Sequence, residues 1–272
     1  MTGEAEVMLI MCARWGLFLL AFLGAAATMT RAQDETVPAG ETVETNQLPS
    51  LRLPLDEIPV KFRERIRTVV DKPTLARSGT VETFSCRPEL YTWLLDHPDK
   101  TSSMWRKLGA RCVAIDEVRP DSFAWSDPEH GYVNYHLVHR SEGFRMWFAE
   151  GKVKAAALMP ATGFQAVLIA RYRSGRDGDG DPAVRHQYHL YLKTDGKAAA
   201  LAARLLGASA PKLMDQFVGQ LQMFFQGLAW LAEDQPGRAR PVMKGVVPDA
   251  LAPVALMFTE PQGITGLPGN LP

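Results

Sequence analysis

From Cys112 to Lys193 apolar positions recur mainly with a period of two, and from Leu213 to Leu231 with a period of three to four. The first pattern predicts strands over 112–118, 122–126, 132–139, 143–150, 152–158, 163–173 and 184–193. Phe144, Met146 and Phe148 alternate with Arg145 and Trp147, and His186, Tyr188, Leu190 and Leu192 with Gln187, His189 and Lys193. Glu150-Gly151 and Ser174–Pro182 read as turns. No crossover helix separates these strands, so an antiparallel meander is expected. The second pattern predicts a long helix from after Ser209 to about Glu233. Leu213, Phe217, Leu221, Phe224, Leu228 and Leu231 form its stripe, widened by Met214, Val218 and Phe225. Gln216, Gln220 and Gln226 fall on or near the margin. Between the two patterns, Asp195 can cap a helix over 196–206 that Gly207 closes.

Upstream, residues 78–86 suit a first strand. Pro88 opens a short helix whose Leu90, Trp93 and Leu94 share a face, and residues 99–108 make a second before Gly109. Residues 56–71 predict another helix, with Asp56 as N-cap and Phe62, Ile66, Val69 and Val70 at helical spacing. Its other face carries Lys61, Arg63, Arg65 and Arg67, either a solvated face or one that touches anionic headgroups at a membrane surface.

At the N-terminus, residues 15–28 are apolar and follow Arg14. That stretch is short against the roughly 20 residues of a bilayer span. It fits a secretory h-region, with Thr30 and Ala32 as small residues before a cut; an uncleaved anchor is the alternative. Glu4 and Glu6 are unusual in an n-region, and Met8 or Met11 would give a more conventional start. The plan is a signal or anchor over 1–32, an acidic Pro-broken disordered linker over 33–55, a short helix and connection over 56–77, a domain over 78–234 and a Pro/Gly-rich tail over 235–272, in which 250–259 could dock. Export to the periplasm or cell envelope is expected.

A formal net charge of +0 lacks the basic footprint of a nucleic-acid binder. In an oxidising compartment Cys86 and Cys112 could form a disulfide or remain two separate thiols. Two HxxH runs occur, His136–His139 and His186–His189; on strands their members point to opposite faces, so neither pair chelates alone. The run Asp177–Asp181 starts like a calcium loop, but Pro182 and Tyr188 stand where Gly and Glu are needed, and it reads as a hairpin loop. Arg145, Arg171 and Arg173 point either inward to a ligand anion or outward to water. No nucleophile, metal or phosphate motif stands in usable context, and no metal or cofactor is expected.

The order of elements, together with Cys86-Arg87-Pro88-Glu89-Leu90-Tyr91-Thr92-Trp93-Leu94-Leu95-Asp96-His97-Pro98-Asp99, resembles the START-like (SRPBCC, helix-grip) superfamily over roughly 78–234. The helix at 196–206 and the exported context depart from it, and the whole also resembles an uncharacterised family of exported bacterial proteins. The resemblance implies an α+β helix-grip fold: a curved antiparallel sheet of about six to seven strands around the long C-terminal helix, with two short helices after strand 1. It also implies a space between sheet and helix, either a closed core or a cavity for a lipid or other apolar molecule. The expected inward set is Tyr135, Phe144, Met146, Phe164, Leu168, Tyr188 and Leu190 from strands and Met214, Phe217, Leu221 and Phe225 from the helix. An exported binding protein leads; an envelope interaction protein with a packed core and a cyclase- or hydrolase-type enzyme are the alternatives. No catalytic motif transfers.

Overall fold

The structure, a computed structural model, describes residues 48–154, 161–194 and 210–251, with side chains of the last stretch described from residue 215. The apolar segment 15–28, the helix expected over 196–206, most of the linker, the 250–259 segment from 252 on and the Met214 side chain lie outside the described residues.

The fold is α+β. Helix α1 (Val60–Asp71) precedes strands β1 (Leu75–Ser78) and β2 (Glu82–Ser85), then helices α2 (Pro88–Asp96) and α3 (Pro98–Lys107). Strands β3 (Asp116–Arg119), β4 (Ser122–Asp127), β5 (Gly131–Ser141), β6 (Phe144–Val153), β7 (Thr162–Arg176) and β8 (Pro182–Thr194) follow. Helices α4 (Ala210–Asp234) and α5 (Pro236–Met243) come last. The eight strands form one open antiparallel sheet in the order β1-β8-β7-β6-β5-β4-β3, with β2 also paired to β8.

Several boundaries differ from the sequence reading. The expected first strand is two, because the register on β8 shifts between Ser78↔His189 and Glu82↔His186. The expected turn at Glu150-Gly151 is continuous strand, with Glu150 opposite Gln165 and Gly151 opposite Phe164. Glycine is needed there for close approach: a Cβ at 151 would stand 2.1 Å from the Tyr132 carbonyl oxygen. Asp56 lies in a 3-10 turn, and Pro59, not Asp56, precedes α1. Residues 236–243, assigned to an irregular tail, form α5, whose Ala239, Val242 and Met243 enter the core.

The sheet is covered on both faces. One face packs beneath α2, α3, α4 and α5 through Leu90, Leu94, Trp105, Phe224, Leu228 and Met243, among others. The other packs beneath α1, where Ile58, Phe62, Ile66 and Val69 meet Val138, Phe144, Met146, Phe148, Val167 and Ile169. Burying one such side chain contributes about 1.5–3 kcal/mol, so the stripe on α1 acts as a second layer of the same body. This corrects two expected site residues: Phe144 and Met146 belong to the α1 face, not to the face under α4.

Candidate functional site: the sheet face beneath helix α4

Helix α4 is tied to this face at several points. Asp215 pairs with Arg77 of β1 at 3.4 Å. Gln222 Nε2 donates to the Thr80 carbonyl at 3.1 Å, and a Cβ on Gly79 would meet Gln222 Oε1 at 1.8 Å. Farther along, Phe225 stacks with Trp147 (centroids 6.0 Å apart, planes at 12°) and with Tyr188 (6.2 Å, 7°). Trp105 Nε1 donates to the Phe224 carbonyl at 2.8 Å. Around Phe225 the two layers are thus closed by aromatic rings.

Toward the other end of the face the side chains are smaller. One cross-strand row runs Tyr135↔Ala149, Ala149↔Ala166, Ala166↔Leu192, placing two alanines at mid-sheet. Tyr135, Ala149, Leu168, Leu192 and, from α4, Phe217 are only partly buried. Yet β7 is a central strand, and Val167 and Ile169, on either side of Leu168 in the chain, are 0% exposed on the α1 face. Native cores are close-packed; at mid-sheet on the helix-covered face these side chains keep partial exposure instead. The Tyr135 hydroxyl has no hydrogen-bond partner among the described residues, and burial alone pushes its pKa above the ordinary tyrosine value.

Of the expected set, Tyr135, Phe164, Leu168, Tyr188, Leu190, Phe217 and Phe225 are brought together in the core under α4, and Leu221 is buried at 8% exposure. Phe164, Leu190 and Tyr188 are themselves buried, whereas Tyr135, Leu168 and Phe217 are only partly so.

Sequence reasoning missed a buried polar network on the same face. Tyr91 Oη of α2 lies 2.7 Å from His186 Nδ1 and 3.1 Å from Tyr188 Oη of β8. Glu82 Oε2 lies 3.8 Å from His186 Nε2, and Gln222 Nε2 3.4 Å from the same atom. The His186 contact, with help from Thr80 and Gln226, holds the Glu82 carboxyl below its usual range against the opposing effect of burial. Burial drives the Tyr91 and Tyr188 hydroxyls well above theirs. The available signal was the placement of His186 and Tyr188 on the apolar side of the β8 alternation.

The remaining candidates resolve as structural parts. Cys86 and Cys112 are free thiols, Cys86 in the core and Cys112 beside Ser102. His136 packs on Phe62 and His139 on Phe144, so a register shift between Leu137 and His139 turns both to the α1 face, contrary to strict alternation. His186 and His189 do point to opposite faces, toward Tyr91 and Ser78. Among the described residues no cluster of three or more metal-ligating side chains forms. Asp177 organises its hairpin loop by accepting the amides of Asp179 and Asp181 at 3.1 and 2.9 Å.

An open cleft of about 1070 Å³ lies between α2 and the β5–β6 turn, lined in part by Trp93, Asp96, Arg145 and Tyr172. Arg145 is neither outward nor available: Nε and Nη2 reach Asp96 at 2.6 and 3.2 Å, and Nη1 donates to the Ser141 and Phe144 carbonyls. Arg171 donates to the Pro49 carbonyl and to Gln187. On the basic face of α1, Arg65 pairs with Glu150 and Arg67 with Glu64, while Arg63 bonds to the backbone of Ile58 and Asp56. No helix among the described residues is long and apolar enough to cross a membrane.

No protein-family model matches the chain, and no curated protein does. Among solved structures it is similar to a conserved protein from Geobacillus kaustophilus, at 13% identity over 56% of this chain and 95% of that one, with a TM-score of 0.36. It is similar to a hypothetical protein from Helicobacter pylori, at 14% identity over 68% and 97%, TM-score 0.37. A third likeness is to the di-domain ARO/CYC BexL from the BE-7585A biosynthetic pathway, at 13% identity over 68% of this chain and 54% of that one, TM-score 0.26. At these scores the chemistry of the site rests on its own residues.

Proposed function

We propose that this chain is a binding protein with a helix-grip arrangement, holding an apolar small molecule or lipid chain between α4 and the sheet. One observation carries the reading: Leu168, on a central strand beneath α4, is only partly buried, whereas Val167 and Ile169 beside it are fully buried on the opposite face. The row through Ala149 and Ala166 supplies the physical reason, since two small side chains between Tyr135 and Leu192 leave volume that α4 does not fill. An apolar molecule entering that volume would gain contacts at little desolvation cost. The apolar segment 15–28 supports export, and with it a role in the envelope.

The test is native mass spectrometry and organic extraction of the purified chain, followed by titration with a fluorescent fatty-acid probe. The reading expects an extractable apolar adduct or saturable, stoichiometric probe binding. A bare protein mass with no saturable binding refutes it and favours a packed interaction module.

A further inference from the structure

Tyr135 brings a polar group to the otherwise apolar side chains that border the gap. Tyr135 projects from β5 onto the α4 face, opposite Ala149, with its ring packed against the core. Its hydroxyl bonds to no described residue. Every other tyrosine buried on this face has a use: Tyr91 and Tyr188 bond to each other, and Tyr91 bonds to His186. The Tyr172 hydroxyl has a hydrogen bond with the Thr92 side chain. Tyr135 is only partly buried, so water is the partner left to that hydroxyl, and phenylalanine would fill the same volume without presenting a polar group to the space.

We infer that the Tyr135 hydroxyl is the polar anchor of the ligand space, and that the ligand carries one oxygen or similar hydrogen-bonding group on an otherwise apolar body. This rests on the binding reading above and narrows it. Placement on the wall beside Ala149 sets the ligand's polar group toward β5 and its apolar body along Leu168 and Leu192 toward Phe217. Fatty alcohols and acids, sterols and oxygenated aromatics satisfy this description; plain hydrocarbons do not. Selectivity would come from the asymmetry of an unmade bond: a ligand lacking the oxygen displaces the water at the hydroxyl and leaves it orphaned in the complex.

Isothermal titration with naphthalene and 2-naphthol tests this, using the full chain and its Tyr135→Phe variant. The wild type should prefer 2-naphthol by about tenfold, the worth of one hydrogen bond. Tyr135→Phe should erase that preference, leave naphthalene binding unchanged, and leave the thermal midpoint of the free protein equal or higher. A preference that survives Tyr135→Phe, or no preference in the wild type, overturns the inference while the binding reading stands. Binding of neither compound overturns both. A lowered midpoint in the free variant shows that the hydroxyl already has a structural partner, and also overturns it.

Discussion

Tyr91 and His186 meet inside the core, with the phenol oxygen 2.7 Å from Nδ1, although 95 positions separate them in the chain. The contact joins α2 to β8, and Tyr188 and Gln222 extend it to a second position on that strand and to α4. Tyr91 and His186 are both 0% exposed. Tyr91→Phe keeps the ring but strips His186 Nδ1 of its partner where water cannot replace it. The expected loss is about 1–3 kcal/mol in urea unfolding. An unchanged midpoint would show that the network is decorative.

The Arg145–Asp96 pair fixes the other end of α2 to β6. Their side chains are 7% and 17% exposed, so removing one partner strands a charge. Asp96→Ala should cost about 3–5 kcal/mol, and Asp96→Ala with Arg145→Met should recover much of it, since a buried pair is often replaceable by apolar side chains. Chemical denaturation of the single and double variants checks both.

His189 makes acid stability measurable. Burial first, then the charge of Arg171, lowers its pKa from the ordinary histidine value to about 4. As pH falls below 6.5 the unfolded chain takes up this proton before the folded chain does. The neutral folded form therefore loses stability between about 6.5 and 4, by roughly 2–3 kcal/mol when the fall is complete. His136 and His139 are lowered in the same sense and add to the slope. In His189→Gln the unfolding free energy should fall less over that interval. An unchanged slope contradicts the assignment.

Gly79 is where β1 gives way toward β2 and where side chains of α4 pack against the backbone. A Cβ there would also stand 2.9 Å from Val218 Cγ1, besides its clash with Gln222. Gly79→Ala should force Gln222 off the Thr80 carbonyl and cost about 1–3 kcal/mol. Thermal unfolding of the variant reads this directly.

The sequence carried the order of elements better than the assignment of faces. In β8 the alternation of His186, Tyr188 and Leu190 places three residues on one face, and the structure keeps them there. In β6 the alternation of Phe144, Met146 and Phe148 is equally clear, yet these residues lie under α1. The pattern says which residues share a face, not which cover that face meets. With Trp147 and Arg145 buried on the other side, polarity gave no sign. The direction of Arg145 stayed open in the sequence because the carboxylate that permits its burial, Asp96, lies 49 positions away. The stripe on α1 was legible, but its partner was not. The alanines at 149 and 166 are unremarkable in one dimension; only the register, which pairs them with each other, makes them the floor of the proposed gap.

The most direct measurement compares Leu168→Phe with Val167→Phe by thermal and chemical unfolding of the ligand-free chain. Leu168 borders the proposed gap, while its neighbour is 0% exposed in a closed layer. If the space beneath α4 is open, Leu168→Phe fills it and holds or raises stability, and it displaces the fatty-acid probe. Val167→Phe overpacks its face and loses about 1–3 kcal/mol. Equal destabilisation by both substitutions would mean that the two faces are packed alike, and that there is no ligand space.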